Sequence, residues 1–223
     1  MKHLKILILC YERKEITRVC FTGIARNILE FAGCGIHASV YVSTDEVNRD
    51  LCEEFGFEHH VTDPKPIGRR LNDAVDVCLE EGWDYLMQMG SDDLMTTAGV
   101  CFVSGMIHNS TPMFGFNTLY VVNRATRKMK RHAGLMVFGA GRCIARDVVI
   151  EVTPMWEEER SRGLDGQSQT RIEQTAMVRP MTVIVSKPCV VDIKTSENLN
   201  KYDVFKGREY DFDMSICPEM KML

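Results

Sequence analysis

The first half of the chain alternates between two kinds of hydrophobic pattern. Residues 4–10 form one continuous apolar run, as a strand buried on both faces does. Residues 15–33 carry apolar side chains at helical spacing and end at Gly33 and Gly35. Further patterns predict strands over 36–43, 57–62 and 85–89, a short helix that reaches Phe55, and a helix over 67–81. This alternating order is typical of a mostly parallel central sheet with helices on both faces, so the predicted class is α/β.

The second half of the chain is less regular. Its pattern predicts helices over 96–108 and 145–152, and strands over 113–122, 128–140 and 182–191. Residues 154–168 are polar and contain glycine, so no regular element is predicted there. From residue 196 the chain is polar with scattered aromatic side chains. We expect one domain over 1–195, followed by a tail or lid over 196–223 that packs on it.

Composition narrows the class of protein. The 223 residues include 27 Lys and Arg against 31 Asp and Glu, which gives a net charge of −4. This mild acid excess argues against a protein that binds the phosphate backbone of a nucleic acid over much of its surface. The apolar run near the N-terminus is too short to span a membrane, and Glu12 and Glu15 follow where a signal peptide would carry small residues.

The cysteines indicate a reducing environment. There are nine, an odd number, none is spaced as Cys-x-x-Cys, and most lie within apolar runs. They are therefore predicted to be free thiols in the core of a cytoplasmic protein, not a disulfide framework or a zinc site.

Polar residues that could bind a ligand or take part in a reaction follow the predicted strands of the first half. Ligands of an open parallel sheet bind at the carboxyl ends of its strands, where 10–13, Asp45, Asp63 and 91–93 are found. The adjacent carboxylates of Asp92 and Asp93 suit a hard cation, Mg²⁺ or Mn²⁺, that carries a substrate diphosphate. The alternative is that Ser91 or Asp92 only caps the helix over 96–108, as Thr44-Asp45 is predicted to cap the helix that reaches Phe55.

Arg69 and Arg70 lie just after Pro66, in the first turn of a predicted helix. The helix dipole disfavours cations at this end, so a nearby anion such as a diphosphate would explain them. A solvated charged turn is the alternative, because the dipole costs only some tenths of a kcal/mol at an exposed position.

Four stretches of the first half carry a family resemblance. They are Tyr11-Glu12-Arg13 after the first strand, then Gly68-Arg69-Arg70-Leu71-Asn72, Gly82-Trp83-Asp84-Tyr85 and Gly90-Ser91-Asp92-Asp93. Together they resemble the donor half of family-2 glycosyltransferases, which have the GT-A fold. The resemblance covers residues 4–95 well and the rest loosely, and it is to divergent members such as those of bacteriophages. It implies a donor half over 1–95 and an acceptor half over 96–195.

The resemblance also implies roles for single residues. A nucleotide-diphospho-sugar would be the donor, Mn²⁺ or Mg²⁺ the cofactor and a hydroxyl group the acceptor, with inversion at the sugar. The resemblance assigns nucleoside binding to Tyr11, Arg13 and either Asp45 or Asp63. It assigns metal binding to Asp93, Asp92 and Asp192, with ribose binding as the alternative for Asp92. It assigns diphosphate binding to Arg69, Arg70 and Lys194. An exposed ion pair is the alternative for Asp192 and Lys194.

Asp165 is the candidate base. It stands in Gly163-Leu164-Asp165-Gly166, with Arg171 and Glu173 after it, where the family carries a Glu-Asp pair and a following arginine. An inverting transfer needs one carboxylate to accept the proton of the attacking hydroxyl. The alternative is a plain Asp-Gly turn. Gly90 and Leu164 both stand where the family keeps an acid.

Two other functions remain open at this point. A nucleotidyltransferase would use a related fold and metal, but the loop after its first strand is glycine-rich, and the loop Cys10-Tyr11-Glu12-Arg13 has no glycine. A non-catalytic domain that binds a nucleotide or a protein partner would explain Gly90 and Leu164. The acceptor is not indicated: a glycan, a protein and a modified nucleic-acid base all fit.

Overall fold

The alternation predicted for the first half is confirmed in the computed structural model, which describes residues 1–183, 187–196, 198 and 201–223. The strands of this half are β1 (Lys2–Leu9), β2 (Ile36–Thr44), β3 (Glu58–Val61), β4 (Tyr85–Gly90) and β5 (Asp93–Met95). Its helices are α1 (Lys14–Gly33), α2 (Arg49–Phe55) and α3 (Ile67–Leu79). Helix α2 begins four residues later than predicted, because Asn48 and not Thr44-Asp45 precedes its first turn.

The second half departs further from the prediction. Its helices are α4 (Thr97–His108), α5 (Arg146–Val152) and α6 (Leu164–Thr175). Its strands are β6 (Met113–Phe116), β7 (Thr118–Asn123), β8 (Lys128–Ala133), β9 (Arg142–Ala145), β10 (Met181–Val183), β11 (Val190–Lys194) and β12 (Glu209–Asp211). The strand predicted over 113–122 is divided at residue 117 between two sheets, and the strand predicted over 128–140 ends at Ala133.

Two further differences concern residues 154–191. Helix α6 was not predicted, because only Leu164 and Ile172 are apolar on its buried side and the periodicity is therefore weak. The strand predicted over 182–191 includes residues 184–186, which lie outside the described residues. On either side of them, β10 and β11 belong to different sheets.

The central sheet has seven strands in the order β10-β6-β9-β4-β1-β2-β3. Strands β3, β2, β1 and β4 are parallel to one another, and β9 is antiparallel to both of its neighbours. The mostly parallel sheet predicted from the sequence is thus confirmed. Because β1, β2, β3 and β4 share one direction, the loops that follow them meet at one edge of the sheet.

Helices cover both faces of this sheet, and β1 shows why. Leu4, Ile6 and Ile8 point to the side of α1 and α4, whereas Leu7 packs with residues of α3, α5 and α6. Such a strand is apolar on both faces, which accounts for its continuous apolar run. Seven of the nine cysteines are buried and all nine are free thiols.

A second sheet has the order β12-β8-β7-β11-β5. Strands β5 and β11 run antiparallel, with Asp93 opposite Asp192. The C-terminal tail packs on this sheet: β12 pairs with β8, and Phe212, Cys217 and Met220 join its hydrophobic cluster. Within the described part of the chain, no helix combines the length and the apolarity that crossing a bilayer requires.

Candidate functional site

Three carboxylates meet where the two sheets adjoin. Asp92 lies in the turn between β4 and β5, and Asp93 is the first residue of β5. The pairing of β5 with β11 brings Asp192 alongside them. Carboxylate oxygens of the three residues lie within 4.8 Å of one another, and all three side chains are largely buried. The cluster is therefore a product of strand register, not of sequence spacing alone.

Among the described residues, two basic side chains, Arg13 and Lys194, face this cluster. Arg13 Nη1 lies 3.1 Å from Asp92 Oδ2, and Arg13 Nη2 donates to Ser91 Oγ at 3.2 Å. Lys194 Nζ lies 2.7 Å from Asp192 Oδ1 and 3.6 Å from Asp92 Oδ2. The amide of Asn198 also donates to Asp92 Oδ2. The Asp192–Lys194 pair is consequently buried, so the exposed ion pair considered from the sequence is wrong.

The carboxylates differ in their affinity for protons. Burial, and then the charges of Asp192 and Asp92, raise the pKa of Asp93 well above its usual value. Burial also raises the pKa of Asp192 to about 6, although Lys194 opposes this. Burial acts on Asp92 as well, but Lys194 and Arg13 together outweigh it and lower its pKa. Arg13 and Lys194 therefore offset the negative charge of Asp92 best and that of Asp93 least. A further positive charge at the cluster would stabilise the ionised form of Asp93.

Gly90 leaves space beside the cluster. Its N–H donates to Asp93 Oδ2 at 2.7 Å. A Cβ at this residue would stand 2.6 Å from Asp93 Oδ2 and 2.9 Å from Asp92 Oδ1. A side chain here would thus fill the space between the two carboxylates. Buried carboxylate oxygens around such a space fit a hard divalent cation, which prefers oxygen ligands.

Asp165 occupies the first turn of α6, which starts after Gly163 in the left-handed conformation (φ 67°). Gly139 N donates to Asp165 Oδ2 at 2.8 Å. Arg142, which is fully buried, donates to the Asp165 carbonyl at 3.0 Å and to Gln88 Oε1 at 2.9 Å. The Asp165 side chain is nevertheless 44% exposed. It belongs to a helix and not to the Asp-Gly turn considered from the sequence.

One cleft of about 810 Å³ joins the carboxylate cluster to Asp165. Its lining includes Gly90, Asp92, Asp93, Asp192 and Lys194 of the cluster region, together with Gly139, Leu164 and Asp165. Aromatic side chains form part of the same lining: the His132 ring lies 5.5 Å from that of Phe138 and 5.1 Å from that of Phe205. Phe205, which comes from the C-terminal tail, thus contributes to the cleft.

The structure corrects the placement of Arg69 and Arg70. Arg69 is exposed on the surface and pairs with Glu158 and Glu159. Arg70 is buried, and its guanidinium donates to the carbonyls of Cys10 (3.1 Å) and Ser43 (2.8 Å). The partners of these arginines at a helix N-terminus are therefore groups of the protein itself, carboxylates for Arg69 and neutral carbonyl oxygens for Arg70. Neither side chain is placed to hold a diphosphate.

Other predicted donor residues lie around the loop after β1. Tyr11 is 41% exposed, and Asp63 is exposed after β3. Asp45 is buried, and both of its carboxylate oxygens accept hydrogen bonds from the protein itself, from Glu12 N and from Asn48. Asp45 thus holds the loop that carries Arg13, a role that the sequence did not indicate.

The helix-cap alternative for Ser91 and Asp92 is wrong. Helix α4 is capped by Thr96, whose Oγ1 accepts from Gly99 N at 3.2 Å. Four polar residues of the site were missed from the sequence: Asn48, Gln88, Arg142 and Asn198. Only Asn48 gave a local signal, because asparagine is a common residue before a helix. The other three reach the site through pairings between distant segments.

Comparison with known proteins identifies the fold. No family profile matches the sequence, and no curated protein matches it. The structure is similar to a crystal structure of S. aureus TarS 1–349 in complex with UDP-GlcNAc, with a TM-score of 0.63 at 10% identity. This match covers 89% of the chain and 60% of the TarS chain.

Two further TarS structures are similar. A second crystal structure of TarS 1–349 matches with a TM-score of 0.58 at 10% identity, over 86% of this chain and 60% of that one. A third crystal structure of S. aureus TarS matches with a TM-score of 0.57 at 10% identity, over 86% of this chain and 37% of the TarS chain. At this identity the likeness establishes the fold alone, and the chain spans about three fifths of TarS 1–349. The GT-A fold that the sequence resemblance implied is thereby confirmed.

Proposed function

We propose that the protein is a glycosyltransferase that moves a sugar from a nucleotide-diphospho-sugar to a hydroxyl acceptor with inversion. The observation that carries this proposal is one cleft of a GT-A fold that is lined by both a buried carboxylate cluster and Asp165. A base and a donor site must lie within reach of one sugar, and the shared cleft meets this requirement. We assign the donor half to residues 1–95 and the acceptor half to residues 96–195, with the tail over 196–223 closing one wall.

The carboxylate cluster is the proposed metal site. Asp92, Asp93 and Asp192 would hold Mn²⁺ or Mg²⁺, a role that the space beside Gly90 and the raised pKa of Asp93 both support. When bound, the cation supplies charge that offsets the negative charge growing on the diphosphate leaving group. Position 90 carries no acid, and β11 contributes Asp192 as the third carboxylate of the proposed site.

The donor nucleotide would lie against the loop after β1. Arg13 and Lys194 are the basic side chains next to the cluster, and we assign to them the contacts with the diphosphate. Tyr11 and Asp63 are exposed at the same sheet edge and are the proposed contacts to the nucleoside. A uridine nucleotide is the first donor to test, because the TarS structure with a TM-score of 0.63 was determined with UDP-GlcNAc.

Asp165 is the proposed base. The acceptor oxygen attacks the anomeric carbon, the bond from that carbon to the diphosphate oxygen breaks, and the hydroxyl proton passes to Asp165. Gly139 N–H donates to Asp165 Oδ2, and Arg142 Nη2 lies 3.7 Å from Oδ1, beyond hydrogen-bond distance, so Oδ1 is the atom proposed to accept the proton. The exposure of this side chain allows the proton to pass on to water after the transfer.

A non-catalytic nucleotide-binding domain is the second candidate. It is favoured by Leu164, which stands where the family carries an acid, and by the contacts of Arg13, Lys194 and Asn198 that already occupy Asp92 Oδ2. A nucleotidyltransferase receives no comparable support, because the loop after β1 has no glycine.

The decisive experiment combines binding with turnover. Thermal unfolding is followed with UDP-, GDP-, TDP- and CMP-sugars, with and without Mn²⁺. A ligand at one hundred times its Kd stabilises the protein by about 2.7 kcal/mol, which is measurable. Stabilisation that needs one nucleotide and Mn²⁺ together, with release of that nucleoside diphosphate over time, is expected of the transferase. Stabilisation without release in the presence of any acceptor supports the non-catalytic domain, and no stabilisation by any pair contradicts both.

A further inference from the structure

The loop after β1 holds two consecutive non-glycine residues in the left-handed conformation. Glu12 has φ 53°, and Arg13 has φ 49° and ψ 44°. This region disfavours residues with a side chain, because Cβ crowds the backbone. Such a conformation persists only where the surroundings hold it.

A buried Asp-Asn pair grips the first of these residues. Asp45 Oδ2 accepts from Glu12 N at 2.6 Å, and Asn48 Nδ2 donates to Glu12 O at 2.9 Å. Asn48 Nδ2 also donates to Asp45 Oδ1 at 2.7 Å, so the two side chains hold each other. Asn48 is fully buried and Asp45 nearly so. Both backbone polar groups of Glu12 are thus fixed by this clamp, which we define as Asp45 and Asn48.

The position of Arg13 depends on this clamp. Helix α1 begins directly after Arg13, whose carbonyl accepts from Thr17 N at 3.0 Å. The backbone around Arg13 is therefore fixed by the clamp on one side and by α1 on the other. With the loop in this conformation the guanidinium reaches Asp92 at 3.1 Å and Ser91 at 3.2 Å. If Glu12 relaxed to an ordinary conformation, the direction in which residue 13 leaves the loop would change.

We propose that Asn48, together with Asp45, is a positioning residue that acts through Arg13. It keeps the loop in its left-handed conformation and so holds the guanidinium beside Asp92, where the diphosphate of the donor would bind. This inference rests on the proposed function in one respect, because it assigns Arg13 a contact with that diphosphate.

A double-mutant cycle on binding tests the coupling. The variants are Asn48→Ala, Arg13→Ala and their combination, and the measured quantity is the Kd of UDP-GlcNAc in the presence of Mn²⁺. Each single substitution should weaken binding by about tenfold, and the combination should be no weaker than Arg13→Ala alone. If the two effects multiply, Asn48 acts independently of Arg13 and the proposal is overturned.

Rescue through the backbone distinguishes positioning from packing. Glycine adopts the left-handed conformation without penalty, so Glu12→Gly should recover part of the affinity lost in Asn48→Ala. No recovery would show that the backbone conformation is not what Asn48 maintains. Asn27→Ala is the matched control, because Asn27 is also fully buried and donates to a backbone carbonyl, that of Met95, at 3.1 Å. It should leave the affinity unchanged.

A readout without ligand separates this inference from the proposed function. NMR signals of the Arg13 guanidinium should show restricted rotation in the native protein, lose it in Asn48→Ala and regain it in part with Glu12→Gly. If the native protein binds no nucleotide-sugar, the proposed function fails while these spectra still decide the role of Asn48. Restricted rotation that survives Asn48→Ala would overturn the positioning role.

Discussion

The carboxylate cluster and Asp165 line the same cleft but lie in opposite environments. Asp92 and Asp192 keep only 15% and 9% of their side chains exposed, and they share a small volume with Asp93. Asp165 is 44% exposed; its Oδ2 accepts from Gly139 N–H, and its Oδ1 lies 3.7 Å from the buried Arg142 guanidinium. The cluster therefore concentrates negative charge away from water, whereas Asp165 remains in contact with it.

This difference indicates different tasks. Crowding buried carboxylates destabilises the protein that has no cation, so such a cluster is suited to a ligand that brings positive charge. A proton acceptor has no need of this arrangement; it needs a fixed position and a route to water. Substitution of Asp165 should therefore affect turnover, whereas substitution within the carboxylate cluster should affect cation binding.

The largest effect is expected at Asp165. Asp165→Asn keeps the size of the side chain but removes the proton acceptor, so turnover should fall by about 10²–10⁴-fold. Donor binding should be unchanged, because Asp165 is not one of the carboxylates of the proposed metal site. Release of nucleoside diphosphate and the donor-induced shift in Tm, recorded on the same samples, check both statements. Turnover within threefold of the native protein would exclude Asp165 as the base.

Asp93→Asn should have the converse effect. It removes a proposed ligand, so Mn²⁺ affinity should fall by about 100-fold or more, measured by calorimetric titration. It should also raise the Tm of the metal-free protein by a few degrees, since about 1 kcal/mol moves the Tm of a domain of this size by about 2–4 °C. The physical reason is the raised pKa of Asp93: burial and neighbouring charges disfavour its ionised form in the folded state. The exposed Asp73→Asn serves as a control and should change neither quantity.

The pH dependence of cation binding sharpens the contrast. Burial raises the pKa of Asp192 to about 6, and that of Asp93 rises in the same direction. Below the raised pKa of either group a proton must leave before the cation binds, so Mn²⁺ affinity should rise with pH through about 6, by up to about tenfold per pH unit for each proton displaced. Both carboxyl groups hold their protons more tightly in the folded state than in the unfolded state. The metal-free protein should therefore lose stability as pH rises from the ordinary carboxyl pKa through these raised pKa values. Titrations between pH 5 and 8 that gave a constant Kd would contradict the assignment of both carboxylates.

Local pattern and long-range pairing explain which parts of the structure were predictable. The apolar run of β1 and the helical spacing of α1 are local signals, and both elements were placed to within a few residues. Helix α6 was missed because its buried side has only two apolar residues, Leu164 and Ile172. The division of residues 113–123 between two sheets has no local signal, since it depends on which strands lie on either side.

The site follows the same rule. Asp92 and Asp93 could be identified as a candidate metal site because they adjoin each other after a buried strand. The partnership of Asp192 with Asp93 was implied only by family resemblance, because it depends on the register of β5 against β11. Arg70 was misassigned for a related reason: its charge was visible in the sequence, but the carbonyls that accept from it belong to Cys10, directly after β1, and to Ser43 in β2.

The smallest expected effect belongs to Arg69, and it tests that correction. Arg69 is half exposed, and its partners Glu158 and Glu159 are more exposed still. Exposed ion pairs of this kind contribute about 0–1 kcal/mol, so Arg69→Gln should shift the free energy of unfolding by no more than that. Donor affinity should be unchanged, in contrast to the roughly tenfold loss expected of Arg13→Ala. A comparable loss in Arg69→Gln, measured in the same UDP-GlcNAc titration, would place a diphosphate at the start of α3. It would contradict the conclusion that Arg69 lies on the surface outside the donor site.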